Sequence, residues 1–128
     1  MSNIIRDPNE LNVLTRQLWE KQEGLIIVYN LPFRLFETRR TPERQKELVE
    51  QGASRTLQSN HLTGDAWDVA EWKGGGWSWQ DIFFFQVLGI LTHNLIAGVR
   101  WGADWDGKQF WFNEGSNLRD WGHFERIK

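Results

Sequence analysis

The sequence predicts an α+β fold, a single domain in which helices flank a small, mainly antiparallel sheet. Three segments carry helix start signals, and the strand-like segments are short and rich in β-branched and aromatic residues. Most of these strands are expected to pair with their sequence neighbours, which favours an α+β arrangement. A length of 128 residues fits one compact domain, and no repeat or linker divides residues 1–128.

Residues 7–10, DPNE, place an aspartate N-cap before a proline and put a glutamate three residues after the cap. They predict a first helix over residues 8–24, which leucines at helical spacing support. Thr41-Pro42 predicts the start of a second helix, and Gly52 its end.

Residues 25–38, LIIVYNLPFRLFET, have a strand-like composition broken by Pro32. Residues 53–63 are expected to form a loop. A strand then begins at Ala66, where alternation resumes, and the run KGGGW at 73–77 is expected to be a flexible connection.

Ser78 with Asp81 forms a capping-box pattern that predicts a third helix ending at Gly98. Residues 99–112 predict a hairpin with an Asp-Gly turn, and residues 122–127 predict a final strand.

Composition excludes several classes of function. A net charge of −2 indicates neither nucleic acid nor an anionic membrane as a partner. The most apolar helix candidate is interrupted by polar residues, so no membrane insertion is expected. The absence of cysteine leaves histidine and carboxylate as the only ligands for a transition metal. The nine tryptophans are expected to be mostly core residues, with some lining a cleft for a sugar or a peptide.

The residues that predict chemistry are His61, Asp68 and His123, with Asp120 three positions before the second histidine. Two imidazoles and one carboxylate form the ligand set of a catalytic zinc ion, which keeps a fourth position for water. A nearby carboxylate such as Asp120 can take the proton of that water and pass it to a leaving amine.

Spacing alone leaves this metal site open, because an isolated His–Asp pair is more often a surface hydrogen bond. His93, inside an apolar helix, is interpreted as a packing or solvent-facing residue. Residues 104–107, DWDG, resemble part of a calcium loop, but Asn113 stands where that loop needs a glutamate, and a hairpin turn explains the pattern more simply.

Four segments carry a resemblance to a known family. SNHLTGDAWDVA resembles the S-x-H-x-x-G-x-A-x-D signature, and RDWGHFE the D-x-x-H-F-E signature, of zinc peptidases that include D-Ala-D-Ala carboxypeptidases and Hedgehog domains. FETRRTPERQKELVEQGAS and WGADW are similar to segments of phage endolysins of the L-alanyl-D-glutamate peptidase type. The resemblance implies a Hedgehog/DD-peptidase-like fold with His61, Asp68 and His123 as Zn²⁺ ligands and Asp120 as the general base.

The same resemblance assigns roles to three further residues. Arg40 would hold a substrate carboxylate or the developing oxyanion, for which a planar, permanently charged guanidinium is suited. A solvated surface charge is the alternative for Arg40. Ser59 would bind substrate or fix the loop, and Glu125 would orient a ligand from outside the coordination shell.

The resemblance therefore implies a zinc endopeptidase that cuts the L-Ala–D-Glu bond of the peptidoglycan stem peptide for host cell lysis. A D-Ala-D-Ala carboxypeptidase and a non-catalytic Hedgehog-like binding domain are the alternatives, and Asp120 argues against the second. The protein is expected to be a monomer without a separate cell-wall-binding domain. Because the N-terminus lacks a long apolar stretch, we expect it to stay in the host cytoplasm until a holin pore releases it to the cell wall.

Overall fold

The computed structural model describes residues 3–54, 56–103 and 120–128. These residues form three α-helices, α1 (Val13–Val28), α2 (Pro42–Glu50) and α3 (Ile82–Leu95), and two short 3₁₀ helices, Pro8–Glu10 and Asn60–Thr63. The strands are β1 (Phe33–Glu37), β2 (Ala66–Lys73), β3 (Gly76–Ser78), β4 (Val99–Trp101) and β5 (His123–Arg126). No helix among them combines the length and the apolar character needed to cross a membrane.

The sheet has the strand order β1-β2-β5-β4, and β3 pairs with the end of β2. All described pairings are antiparallel, so the predicted α+β class is confirmed. Trp67 of β2 and Phe124 of β5 lie opposite each other on the face that packs into the core, and both are fully buried. Burying a large apolar side chain contributes about 1.5–3 kcal/mol, so this face stabilises the fold. The opposite face of the same strands carries the polar residues described below.

The first helix differs from its prediction at both ends. Asp7 caps only the short 3₁₀ helix, and the α-helix begins at Val13 with Asn12 as its N-cap. It then continues through Gly24 to Val28, so the strand expected over residues 25–38 is confined to β1. The reason is burial at helical spacing, since Ile26 is buried on the same helix side as Trp19.

The KGGGW run is part of a hairpin rather than a flexible connection. β2 and β3 pair antiparallel, with Trp72 opposite Trp77. Gly74 and Gly75 form the turn with φ values of 57° and 81°, the left-handed region that a two-residue hairpin turn requires.

The third helix starts later and ends earlier than predicted. Asp81 is its N-cap and accepts a hydrogen bond from the backbone of Phe84, whereas Ser78 belongs to β3. The helix ends at Leu95, before Gly98.

The final strand is present as β5. β4, which begins the hairpin predicted over residues 99–112, pairs with β5. The hairpin from residue 104 onwards, including the DWDG motif, lies outside the described residues.

Gly89 of α3 faces the core at a point where no side chain fits. A Cβ atom at this position would lie 2.2 Å from the indole ring of Trp101. We expect Gly89→Ala to lower the free energy of unfolding by about 1–3 kcal/mol, because the helix or the indole must shift. Chemical denaturation followed by circular dichroism measures this change.

Gly24 provides the matched control, because it also lies inside a helix and a Cβ there would meet nothing within 4 Å. Gly24→Ala is expected to be neutral or to stabilise the protein by up to about 1 kcal/mol. Equal effects at both positions would show that helix propensity, not contact with Trp101, decides the outcome.

Candidate metal centre

The structure brings His61, Asp68 and His123 together from three elements. Asp68 on β2 and His123 on β5 lie directly opposite each other, and cross-strand partners share one face of the sheet. His61 lies in the 3₁₀ helix that precedes β2. Ser59 is the N-cap of that helix, and its hydroxyl accepts a hydrogen bond of 3.1 Å from the backbone N–H of His61. Ser59 therefore holds the turn that presents His61; its predicted contact with substrate stays a prediction.

The three side chains form a nearly equilateral triangle of ligand atoms. Asp68 Oδ1 lies 3.1 Å from His61 Nε2 and 3.0 Å from His123 Nδ1, and the two nitrogens are 3.2 Å apart. Ligands of a tetrahedral zinc ion with bonds of about 2.0–2.1 Å lie roughly 3.3–3.4 Å apart. The triangle therefore fits one zinc ion with a modest expansion, and a tetrahedral ion held by three ligands keeps one open position.

Both imidazoles are oriented by a partner on the side away from the triangle. His61 Nδ1 donates to the carbonyl of Thr38 at 2.6 Å, and His123 Nε2 donates to Glu125 Oε1 at 2.8 Å. The second oxygen of Glu125 accepts a hydrogen bond of 2.7 Å from the amide of Asn60. Each ring thus places its remaining nitrogen in the triangle, as metal-binding histidines do. Glu125 contacts the outer nitrogen of His123, the place from which it was predicted to orient a ligand. The contacts made by the Thr38 carbonyl and the Asn60 side chain were not predicted from the sequence.

The third ligand candidate, Asp68, is oriented by Arg40. Arg40 Nη2 donates to Asp68 Oδ2 at 2.9 Å, which leaves Asp68 Oδ1 in the triangle. The guanidinium is itself held by the buried Glu37, 3.1 Å from Nε, and by Gln45, which accepts from Nη1 at 3.1 Å. Glu37 and Gln45 were not singled out from the sequence, although both lie in the FETRRTPERQKELVEQGAS segment. Arg40 is therefore no solvated surface charge; its predicted contact with substrate stays a prediction.

The electrostatics of the cluster favour a positive charge inside it. Burial opposes ionisation of Asp68, but the two neighbouring histidines hold its pKa well below the usual value. Burial would also lower the pKa of His123, but its hydrogen bonds to Asp68 and Glu125 raise that pKa to about 10. A buried imidazole between two carboxylates therefore attracts a cation, either a proton or a metal ion.

Asp120 lies in the tight turn that leads into β5. Its N–H donates to the carbonyl of Gly102 at 3.1 Å, and its own carbonyl accepts from the N–H of His123 at 3.2 Å. A Cβ on Gly102 would lie 2.4 Å from the Asp120 carbonyl oxygen, so only glycine permits this approach. The WGADW motif and the RDWGHFE motif are thus joined at the residue expected to act as the base.

Desolvation and the charges in and around the triangle shift the pKa of the Asp120 carboxyl. Although the residue is exposed, the surrounding protein raises its pKa by desolvation, and the negative charge of Asp68 adds to this effect. The positive charges of His61, His123 and Arg40 oppose the increase. Asp120 is therefore an exposed residue whose carboxyl lies within electrostatic reach of the three candidate ligands.

Glu125→Ala is expected to weaken zinc binding about 10–100-fold, because His123 loses the partner that fixes its ring. Competition with a chromogenic chelator measures the dissociation constant. Glu23→Ala, on the exposed side of α1, is the control and should bind zinc as the wild type does. Unchanged affinity in a folded Glu125→Ala protein would mean that Glu125 does not orient a ligand.

Comparison with known proteins identifies a family and similar proteins. The model of the family described as phage L-alanyl-D-glutamate peptidase matches residues 5–127. The L-alanyl-D-glutamate peptidase of Listeria phage A118 is 28% identical over 109 residues, which cover 84% of this chain and 37% of that protein. The chain thus spans little more than a third of that relative. The crystal structure of the Serratia marcescens L-Ala D-Glu endopeptidase ChiX matches with a TM-score of 0.66 and 28% identity, covering 99% of this chain and 90% of that one.

Proposed function

The chain belongs to the phage L-alanyl-D-glutamate peptidase family, and from this premise we propose that it is a zinc-dependent peptidoglycan endopeptidase. The bond we assign to it joins L-Ala to D-Glu in the stem peptide. The observation that carries the proposal is the triangle of His61, Asp68 and His123 with edges of 3.0 to 3.2 Å, together with the exposed residue Asp120, whose carboxyl interacts electrostatically with all three.

His61 Nε2, His123 Nδ1 and Asp68 Oδ1 would hold the zinc ion. When bound, zinc polarises a carbonyl and lowers the pKa of water towards neutrality. The protein side of the proposed site suits this purpose, because Thr38, Glu125 and Arg40 orient the three candidate ligands.

In this proposal Asp120 moves the proton. Its carboxylate takes a proton from the water that attacks the scissile carbonyl and returns it to the nitrogen of the leaving D-Glu. The turn that fixes its backbone against Gly102 places it next to His123, and its exposure lets water and substrate reach it. We also propose that the protein acts on the cell wall after release through a holin pore, as a monomer.

Digestion of purified peptidoglycan, with and without a chelator, tests the function. Mass spectrometry should show stem peptides that begin with D-Glu and glycan that keeps only L-Ala, and the chelator should abolish both products. Loss of a terminal D-Ala instead would indicate a carboxypeptidase. Zinc binding without any new terminus would indicate a binding domain.

A further inference from the structure

Four aromatic residues form a cluster at the β2–β3 hairpin, which we call the aromatic cluster: Phe36, Trp72, Trp77 and Trp79. Phe36 contacts Trp77 and Trp79 edge-on, with ring centroids 5.0 and 4.8 Å apart. Trp72 contacts Trp77 in the same manner at 5.1 Å. Edge-to-face contacts of this kind stabilise a fixed arrangement of rings.

The aromatic cluster lies on the same face of the sheet as the metal centre. Side chains alternate along β2, so Trp72 projects to the side of Asp68 and away from the core residue Trp67. Trp77 is the cross-strand partner of Trp72 and shares that side. Trp72 follows Asp68 by four positions along the strand, a distance of about 13 Å at roughly 3.3 Å per residue.

These rings do not belong to the core, unlike the buried Trp19, Trp67 and Trp101. Trp79 keeps 49% of its surface exposed. The guanidinium of Arg34 lies 4.5 Å from the ring centre of Trp72, and that of Arg6 lies 5.1 Å from the ring centre of Trp77. Trp79 therefore offers an exposed apolar ring, and the two arginines on the half-buried Trp72 and Trp77 offer hydrogen-bond donors to hydroxyl groups.

The position of the scissile bond indicates which part of the substrate would lie at the aromatic cluster, the glycan on the L-Ala side or the rest of the stem peptide on the D-Glu side. L-Ala joins the stem to the glycan, and an extended residue spans at most about 3.6 Å. When the alanine side of the substrate runs along β2, Trp72, about 13 Å along the strand from Asp68, lies beyond L-Ala, where the saccharide begins. On the other side lies a stem of small and charged residues, which have no flat apolar face to match an indole.

We propose that the aromatic cluster is a saccharide subsite that binds the glycan adjoining L-Ala. This proposal rests on the proposed function, because it assumes that the L-Ala–D-Glu bond is placed at the metal centre. Pyranose rings present flat C–H faces that pack on indoles, and their hydroxyls accept hydrogen bonds from Arg6 and Arg34.

Two substrates with the same scissile bond test the subsite: a disaccharide–tetrapeptide, and the same tetrapeptide with an N-acetyl group on L-Ala instead of the sugar. The wild type should have a kcat/KM at least about tenfold higher on the first substrate. Trp79→Ala should remove most of this preference and leave hydrolysis of the acetylated peptide within about twofold of the wild type.

Two variants serve as controls. Trp79→Phe should retain most of the preference, since a ring remains. Phe83→Ala removes an aromatic residue that is 66% exposed on α3, on the opposite side of the sheet, and should change neither rate. Equal loss on both substrates in Trp79→Ala, or no preference in the wild type, would overturn the subsite.

A binding measurement separates this proposal from the proposed function. Titration with the peptide-free disaccharide should change tryptophan fluorescence in the wild type and not in Trp79→Ala, whether or not the protein hydrolyses anything. A wild type that binds the disaccharide but cleaves neither substrate would refute the endopeptidase and keep the saccharide site. Absence of a fluorescence change in the wild type would refute the site itself.

Discussion

Replacing His61 by alanine is expected to abolish zinc binding and peptidoglycan hydrolysis together. His61 is fully buried, and its Nε2 forms one corner of the triangle with Asp68 and His123. Removing it leaves two ligands, so the loss of zinc affinity should exceed the roughly 10–100-fold that follows from removing an orienting partner. Zinc content after gel filtration and release of dyed peptidoglycan fragments measure the two effects.

His93→Ala is the matched control, because it removes the one histidine that lies outside the cluster, on α3. This variant should retain one zinc ion per chain and full activity. Hydrolysis by a folded, zinc-free His61→Ala protein would contradict the account, because the three ligands would then not be needed for the reaction.

Asp120→Asn is expected to separate metal binding from catalysis. The amide has the same shape as the carboxyl but cannot accept a proton, so kcat should fall by about 10²–10⁴-fold. The triangle and the turn to Gly102 do not depend on the carboxyl charge, since the turn is held by backbone hydrogen bonds. Zinc affinity should therefore stay close to that of the wild type, apart from the small effect of a lost negative charge.

The control for the lost charge is Asp7→Asn, at the exposed start of the first 3₁₀ helix. It makes the same chemical change away from the site and should leave kcat unaltered. Undiminished cleavage of muropeptides by Asp120→Asn with zinc bound would remove Asp120 from the mechanism.

The sequence was informative about the groups that carry chemistry. The absence of cysteine restricted transition-metal ligands to histidine and carboxylate, and the resemblance of SNHLTGDAWDVA and RDWGHFE to two family signatures implied His61, Asp68 and His123 among them. Their convergence is a tertiary property. It depends on the pairing of β2 with β5, which sets Asp68 opposite His123, and on the turn capped by Ser59.

The supporting contacts were harder to foresee for a physical reason. The carbonyl of Thr38 orients His61, and a backbone atom leaves no signature in the choice of residue. Glu37 and Gln45 act through Arg40, and nothing in their spacing distinguishes them from other polar residues near a helix start. Their positions in a family motif were the only available signal.

Local patterns failed where tertiary packing overrides them. The LIIV stretch has high strand propensity, yet it completes α1 because Ile26 continues the buried side of that helix. The glycine-rich run was expected to be flexible, yet the pair Trp72 and Trp77 closes it into a hairpin. Trp72 and Trp77 also belong to the aromatic cluster. The prediction of a flexible connection therefore missed a candidate binding surface.

The most direct test of the metal centre is a crystal structure of the zinc-loaded protein with anomalous data collected at the zinc edge. We expect one strong peak per chain, about 2.0–2.2 Å from His61 Nε2, His123 Nδ1 and Asp68 Oδ1. A peak elsewhere on the chain, or none at full zinc saturation, would contradict this expectation.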